Sequence, residues 1–178
     1  LNVSNIIDMS WLETIQNKAH VCSVLYTWQG GIEAGNASAD VLTGAVTPSG
    51  KLPDTIAYDI ADYPSTENFG DEERNYYAED IYVGYRYFET FAPEKVQFPF
   101  GFGLSYTEFQ TQVTRAKVQG EGKEAVAVIE ACVTNTGAVY SGKEVVQVYY
   151  EAPQGKLGQP VRQLAAFQKT GLLAPGES

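Results

Sequence analysis

A short aromatic and glycine-rich segment, residues 98–106, divides this chain and reads FPFGFGLSY. Its three phenylalanine rings carry a large apolar area, and glycine lets a backbone turn or approach closely where a Cβ would clash. Apolar runs and one helical pattern precede the segment, whereas only strand-like runs follow it. We therefore predict a packed hinge between two domains. The alternative is an ordinary buried strand and loop.

The composition fits a folded protein and excludes two classes of partner. The 178 residues are 44% hydrophobic and carry a net charge of -10 without a basic cluster. Because nucleic acids and anionic membranes bind concentrated lysine and arginine, we expect neither as a partner. No apolar run is long enough to cross a bilayer.

The cysteines and the histidine exclude further kinds of site. Cys22 and Cys132 lie in different halves of the chain, each within an apolar, strand-like run. This placement predicts two free buried thiols rather than a disulfide or a metal pair. His20 is the only histidine, which leaves almost no support for a histidine-rich metal site or for a serine–histidine–aspartate triad complete within this chain. We expect no metal and no cofactor.

The part before the hinge has the pattern of an α/β unit. Residues 19–26 form an apolar run of strand length, and the turn at residues 28–31 contains two glycines. A helix is predicted over Ile32–Leu42, with Gly44 just past its end. An extended piece over Lys51–Ile56 follows. Strand, turn, helix and strand in this order predict a helix packed on a parallel sheet.

Two further segments lead to the hinge. Residues 58–77 form a long acidic loop, which is either a functional or docking loop or a solvated surface. From Ile81 the chain is dense in strand formers and predicts another strand. Arg86 lies among its tyrosines, and we expect an ion pair with Glu89 or Asp71.

Four strand candidates separated by glycine- and proline-containing turns follow the hinge. They are Tyr106–Val118, Glu124–Thr134, Glu144–Glu151 and Val161–Thr170. Short strands at this spacing predict a β-sandwich. The fold class expected for the whole chain is therefore α/β followed by all-β.

Several blocks in order resemble the C-terminal region of glycoside hydrolase family 3, the β-glucosidase and β-xylosidase family. They are residues 28–44 and 48–53, residues 80–88 with 98–109, residues 135–137 with 142–149, and then Pro160, Leu164 and Phe167. The resemblance implies that residues 1–104 are the C-terminal portion of the family's α/β sandwich domain. Residues 105–178 would then form a fibronectin type III-like β-sandwich, incomplete because the family has a closing strand after Ser178. Asp80 departs from the pattern, since many members have glycine there.

The resemblance also implies which residues the chain lacks. A retaining glycosidase needs two carboxyl groups beside the scissile bond. In the family the nucleophile is an aspartate on a barrel domain, and the acid/base glutamate lies in a Gly-Glu-Gly loop upstream of this chain. The Gly-Glu-Gly at residues 120–122 lies between two predicted strands of the β part, not in the loop that the family places upstream of this chain. We therefore expect no catalytic residue here and no activity from the isolated chain.

The function implied is the non-catalytic scaffold of a β-glucosidase-type glycosidase that hydrolyses terminal β-linked glucose or xylose. Its expected partners are the catalytic barrel domain of the same enzyme and a β-glucoside or oligosaccharide substrate. The alternative is a carbohydrate-binding or adhesion module without a hydrolase partner.

Three residues around the glycine turn are candidates for substrate binding. Trp28 offers a ring for a sugar to stack on, Gln29 a hydroxyl contact and Glu33 a carboxylate. They follow a predicted strand at the edge where α/β folds place ligands. The alternatives are that Glu33 complements the helix N-terminus and that Trp28 packs a domain interface.

Overall fold

The computed structural model describes residues 3, 5–15 and 18–178 of the chain. Two parts meet at the aromatic hinge, a mixed part before it and an all-β part after it. Within the described residues, no helix is both long and apolar enough to span a bilayer.

The mixed part contains two helices and one small sheet. Helix α1 spans Ala34–Leu42 and helix α2 spans Tyr85–Phe91. Strand β1, Ile56–Ala57, pairs antiparallel with β2, Val96–Phe98. Most of the remaining chain is extended or turns, including 3₁₀ turns at Ser10–Thr14, Lys18–His20, Ile60–Asp62, Pro64–Asn68 and Pro93–Lys95.

The all-β part confirms the four predicted strands to within a few residues. They are β3, Phe109–Gln119; β4, Val126–Asn135; β5, Val145–Tyr150; and β6, Gln163–Lys169. The strands form two antiparallel pairs, β3 with β4 and β5 with β6. A 3₁₀ turn over Gly122–Glu124 precedes β4.

Helix α2 corrects the strand predicted from Ile81. Gly84 has a φ of 58° and turns the chain immediately before the helix. Phe88 is buried, and the rings of Tyr87 and Phe91 lie 5.6 Å apart one turn from each other. The aromatic residues recur at helical spacing, and packing of one helix face outweighs their preference for strands.

Asp80 adopts a backbone conformation that explains its departure from the family pattern. Its φ is 49°, in the left-handed region that glycine occupies most easily. Aspartate tolerates this region better than most residues, because its short side chain hydrogen-bonds locally. The turn before α2 is thereby kept without glycine.

The expected buried strand over residues 19–26 is not formed. Residues 21–30 belong to no helix, strand or sheet in the described part of the chain. Val21 and Val24 are exposed, because no neighbouring element covers them. Cys22 is also exposed and Cys132 is half-buried, so both thiols are free as predicted but neither is buried.

The small core of the mixed part is built around Phe88. This ring and the side chains of Ala57 and Ala92 form a buried cluster. The ring of Tyr63 packs edge-on against Phe88 at 5.1 Å, and its hydroxyl accepts from Ala57 N and donates to Thr55 O. Burial raises the pKa of Tyr63, so the phenol stays neutral while it makes both hydrogen bonds.

An aromatic cluster joins α2 to the β5–β6 pair. The ring of Tyr85 lies 4.8 Å from Phe100 and 6.1 Å from Tyr149. The Tyr85 hydroxyl accepts from Leu164 N at 2.8 Å, and Thr90 Oγ1 accepts from Val161 N at 3.1 Å. We call these contacts the seam, since they join the two parts of the chain.

An ion pair lies beside the seam. Arg162 Nε contacts Glu89 Oε2 at 2.5 Å, and its guanidinium lies 5.7 Å from the centre of the Tyr149 ring. The hydrogen bond to Glu89 raises the pKa of Arg162. The expected pairing of Arg86 with Glu89 is therefore wrong, and Arg86 instead donates to Ile81 O. Asp71 accepts backbone hydrogen bonds within its own loop.

The hinge glycines allow close packing at the same boundary. A Cβ on Gly101 would overlap the Gln147 side-chain amide, and one on Gly103 would overlap the Gly50 carbonyl. Lys51 Nζ donates to Gly103 O at 2.8 Å and pairs with Glu144 at 2.9 Å. Close backbone approach thus requires glycine at position 103, as the pattern predicted, whereas a φ of 80° favours glycine at position 101.

Asn135 ties the end of β4 to the C-terminal segment. Its side chain is fully buried; Oδ1 accepts from Thr107 Oγ1 at 2.6 Å, and Nδ2 donates to the carbonyls of Tyr140 and Leu173, each at 2.9 Å. The Asn135 amide N–H also donates to Glu177 O. Such a satisfied buried amide holds several segments in one arrangement.

The chain leaves far more surface open than a compact protein of its size. Its accessible surface is 12630 Å² for a mass of 19.4 kDa. A folded monomer of that mass exposes about 8500 Å². Part of this open surface lies on one face of the β3–β4 pair, where Val113, Val118 and Ile129 are all exposed.

We expect Phe88→Ala to destabilise the chain by about 3–5 kcal/mol, because a buried ring is lost and leaves a cavity. Phe69→Ala is the matched control, since the Phe69 side chain is 91% exposed. Its effect should stay within about 0.5 kcal/mol. Denaturant unfolding of both variants measures the difference. Equal losses would show that Phe88 is not the centre of this core.

We expect Asn135→Asp to destabilise the chain by about 2–3 kcal/mol, because a carboxylate oxygen would face the Tyr140 and Leu173 carbonyls. Gln112→Glu makes the same chemical change at an exposed position of β3 and serves as the control. Thermal unfolding at pH 7 compares the two. A similar small shift for both variants would contradict the role given to Asn135.

Candidate functional site

A strained turn places Trp28 ahead of helix α1. Trp28 has a φ of 50°, which is uncommon for a bulky residue, and Gly31 follows with a φ of 66°. A Cβ on Gly30 would lie 2.6 Å from the Ala34 Cβ. The chain thus reverses tightly against the start of the helix. Strain of this kind persists only where surrounding contacts hold it, and it is common at binding sites.

The Trp28 ring is half-buried and rests on Tyr26. Their centroids are 4.7 Å apart, and the Tyr26 hydroxyl donates to the Asn5 carbonyl. Burial raises the pKa of Tyr26. One face of the tryptophan is therefore supported by its own segment, while part of the ring remains accessible.

Glu33 directly precedes helix α1. Its carboxylate accepts from Asn36 Nδ2 at 2.6 Å, and its carbonyl accepts from Ala37 N at 2.9 Å. The side chain makes no cap hydrogen bond to the helix backbone. Glu33 and Gln29 are both exposed.

Among the described residues, no hydrogen bond or ring contact joins Trp28, Gln29 and Glu33 to one another. The structure brings Trp28 to Tyr26 and Glu33 to Asn36 instead. The three candidates are thus neighbours along one turn, with a ring, an amide and a carboxylate left open to a ligand. This combination suits a polyhydroxylated molecule, because it offers both an apolar face and hydrogen-bonding groups.

The acidic loop forms a cleft that the sequence analysis did not assign to particular residues. Its volume is about 450 Å³, and its lining consists of Pro64, Glu67, Asn68, Tyr76, Tyr77 and Ala78. Asn68 Nδ2 donates to the Tyr76 carbonyl at 2.9 Å and joins the two arms of the loop. The signal available in sequence was an adjacent tyrosine pair within a polar loop.

No group of three or more metal-binding side chains occurs in the part of the chain that the structure describes. The cleft contains one carboxylate, Glu67, whereas glycoside hydrolysis by a retaining enzyme requires two. The lining thus combines one carboxylate with two tyrosines, an amide and small apolar groups.

Known proteins match the chain along nearly all of its length. A β-glucosidase of Ruminococcus albus is 53% identical over 177 residues, which cover 99% of this chain and 18% of that protein. β-Glucosidase A of Butyrivibrio fibrisolvens is 49% identical, with 100% of this chain and 23% of the relative covered. The chain thus spans about a fifth of the length of these relatives.

Solved structures give the same result. A β-glucosidase from Paenibacillus barengoltzii superimposes with a TM-score of 0.91 at 61% identity, over 97% of this chain and 19% of that one. The Kluyveromyces marxianus β-glucosidase in complex with glucose has a TM-score of 0.86 at 42% identity, over 99% of this chain and 20% of that one.

Two family models match the sequence. The fibronectin type III-like domain matches residues 144–178. The glycosyl hydrolase family 3 C-terminal domain matches residues 1–106, more than half of the chain. The fold is accordingly a partial α/β domain followed by a fibronectin-like β part, and the chain belongs to glycosyl hydrolase family 3 as part of its C-terminal region.

Proposed function

We propose that this chain is the non-catalytic supporting part of a retaining β-glucosidase that removes terminal β-linked glucose, or xylose, from glycosides. The observation that carries the proposal is the match to β-glucosidases over 97–100% of the chain. The chain represents only about a fifth of those proteins. The catalytic aspartate and the acid/base glutamate would lie on the remainder of the enzyme.

The open surface supports a role as one part of a larger molecule. Apolar side chains on one face of the β3–β4 pair lie in solvent, and so does Ile32 before α1. Exposed apolar area on this scale marks a surface that another element covers. In our proposal the catalytic barrel domain and the rest of the α/β domain cover part of it.

The proposed boundary between the two domains lies at the hinge. We propose that residues 1–104 belong to the α/β domain and residues 105–178 to the fibronectin-like domain. The seam supports this division, since it consists of contacts between α2 and the β5–β6 pair. In this arrangement the β domain holds α2 in position from outside the α/β domain.

Trp28, Gln29 and Glu33 are proposed to contact the substrate. The left-handed backbone at Trp28 and the open side chains of Gln29 and Glu33 support this assignment. Trp28 would supply the stacking surface, while Gln29 and Glu33 would accept hydrogen bonds from sugar hydroxyls.

The central test is hydrolysis of an aryl β-glucoside. We expect no turnover by the isolated chain and turnover once the barrel and the upstream loop are joined to it, because both carboxyl groups lie there. Release of the aryl group is followed by absorbance. Activity of the purified chain that survives Glu33→Gln would overturn the proposal.

The same assay separates the alternative function. A carbohydrate-binding or adhesion module without a hydrolase partner would leave the longer protein inactive on every β-glucoside tested. Inactivity of the full-length protein, shown to be folded by cooperative thermal unfolding, would therefore favour that module.

We expect Trp28→Ala in the full-length enzyme to raise KM for the aryl β-glucoside by about tenfold, because a large aromatic contact is lost. Trp28→Phe should recover most of the effect. Trp11→Ala is the matched control, since Trp11 is 41% exposed and lies in a separate 3₁₀ turn. A lower melting temperature with an unchanged KM would show that Trp28 only packs the domain.

A further inference from the structure

The loop cleft is a concave feature of the described residues that lies outside the turn carrying Trp28, Gln29 and Glu33. Its aromatic lining is open to solvent, because Tyr76 is 53% exposed and Tyr77 is 88% exposed. Phe69, on the same loop, is also exposed. Tyrosine faces of this kind provide a flat apolar surface with a polar edge.

The loop holds this surface in a defined shape. Asp71 Oδ1 accepts from the backbone amides of Glu73 and Arg74, at 2.9 and 3.0 Å. Arg74 Nη1 donates to the Tyr76 hydroxyl at 3.2 Å, and Asn68 donates to the Tyr76 carbonyl. The loop is therefore braced by its own side chains, and these hydrogen bonds shape the cleft.

The polar groups of the cleft are acceptors with free capacity. Asn68 uses its amide NH₂ group on Tyr76, and its Oδ1 makes no hydrogen bond within the described residues. The Glu67 carboxylate likewise has no partner there. Both groups can accept hydrogen bonds from hydroxyl donors, and bonds to a carboxylate are the stronger kind.

The charge around the cleft limits the ligand. Residues 64–78 contain one basic residue, Arg74, and several acidic ones, namely Glu67, Asp71, Glu72 and Glu73. This balance disfavours phosphates and other anions. An uncharged polyol, with apolar ring faces for the tyrosines and hydroxyl donors for the acceptors, fits both features.

We propose that this cleft binds one sugar unit of a neutral β-linked oligosaccharide by stacking on Tyr77, with Asn68 and Glu67 accepting from its hydroxyls. The choice of a gluco-oligosaccharide rests on the proposed function, whereas the presence of the site does not. The sugar unit in the cleft would be a different unit of the oligosaccharide from the one bound by the catalytic domain.

The test measures binding in the full-length enzyme with thio-linked cellotetraose, which resists hydrolysis. We expect Tyr77→Ala to weaken the Kd for this tetrasaccharide about tenfold, while the Kd for glucose changes much less. Tyr77→Phe keeps the ring face and should stay within about threefold of the wild type. Tyr150→Ala is the matched control, because Tyr150 is exposed at 47% on a different element, β5.

Two results would overturn the site. Tetrasaccharide binding within twofold of the wild type in Tyr77→Ala would show that the cleft binds no sugar. A lower melting temperature with equal weakening of both ligands would show that the tyrosine packs against the rest of the enzyme. Hydrolysis of an aryl β-glucoside by the same samples is scored separately, so that failure of the proposed activity is distinguished from failure of the site.

Discussion

The contact between Tyr85 and the β5–β6 pair holds the two parts of this chain in one arrangement. The tyrosine ring packs on Phe100 from the hinge and on Tyr149 from β5, and its hydroxyl accepts the Leu164 amide of β6. One side chain therefore links a helix, the hinge and both strands. Because the described core of the mixed part is small, its orientation relative to the β part depends strongly on these contacts.

The ion pair beside the seam contributes more to the orientation of α2 relative to β5 than to stability. Arg162 and Glu89 remain partly exposed, and pairs in such positions are worth about 0–1 kcal/mol. The guanidinium also lies on the Tyr149 ring, which fixes where the β5–β6 pair meets α2. Burial raises the pKa of Tyr149, and the nearby Glu89 carboxylate adds to this effect. The ring thus stays uncharged at neutral pH, as an apolar contact requires.

How much the sequence could predict depended on whether an element's partners lie within the chain. The four β strands were predicted nearly to their ends, since alternation and turn residues specify them locally. Residues 19–26 have the composition of a buried strand, but a strand also needs a neighbouring strand, and in the described part of the chain this segment belongs to no sheet. The composition of residues 19–26 suits a buried environment, whereas in the structure most of these residues are exposed.

Helix α2 was missed for a different reason. Its residues are strand formers, and only the spacing of Tyr85, Phe88 and Phe91 indicates a helix. Gly84 supplies the turn immediately before these residues, and they form a helix after it. The cleft was missed because its lining comes from separate positions of a loop, which hydrogen bonds of Asn68 and Asp71 bring together. Trp28, Gln29 and Glu33 could be proposed from sequence because they occupy one turn.

These two kinds of candidate site differ in how they are held. Trp28 is supported by Tyr26, which hydrogen-bonds to Asn5, so its position depends on a contact with a separate segment of the chain. The loop cleft is braced by contacts within residues 64–78. The substrate contact proposed for Trp28 would therefore be coupled to the packing of residues 5 and 26, whereas the cleft keeps its shape from its own hydrogen bonds. The two candidate sites thus differ in whether their supporting contacts come from a separate segment of the chain or from the same loop.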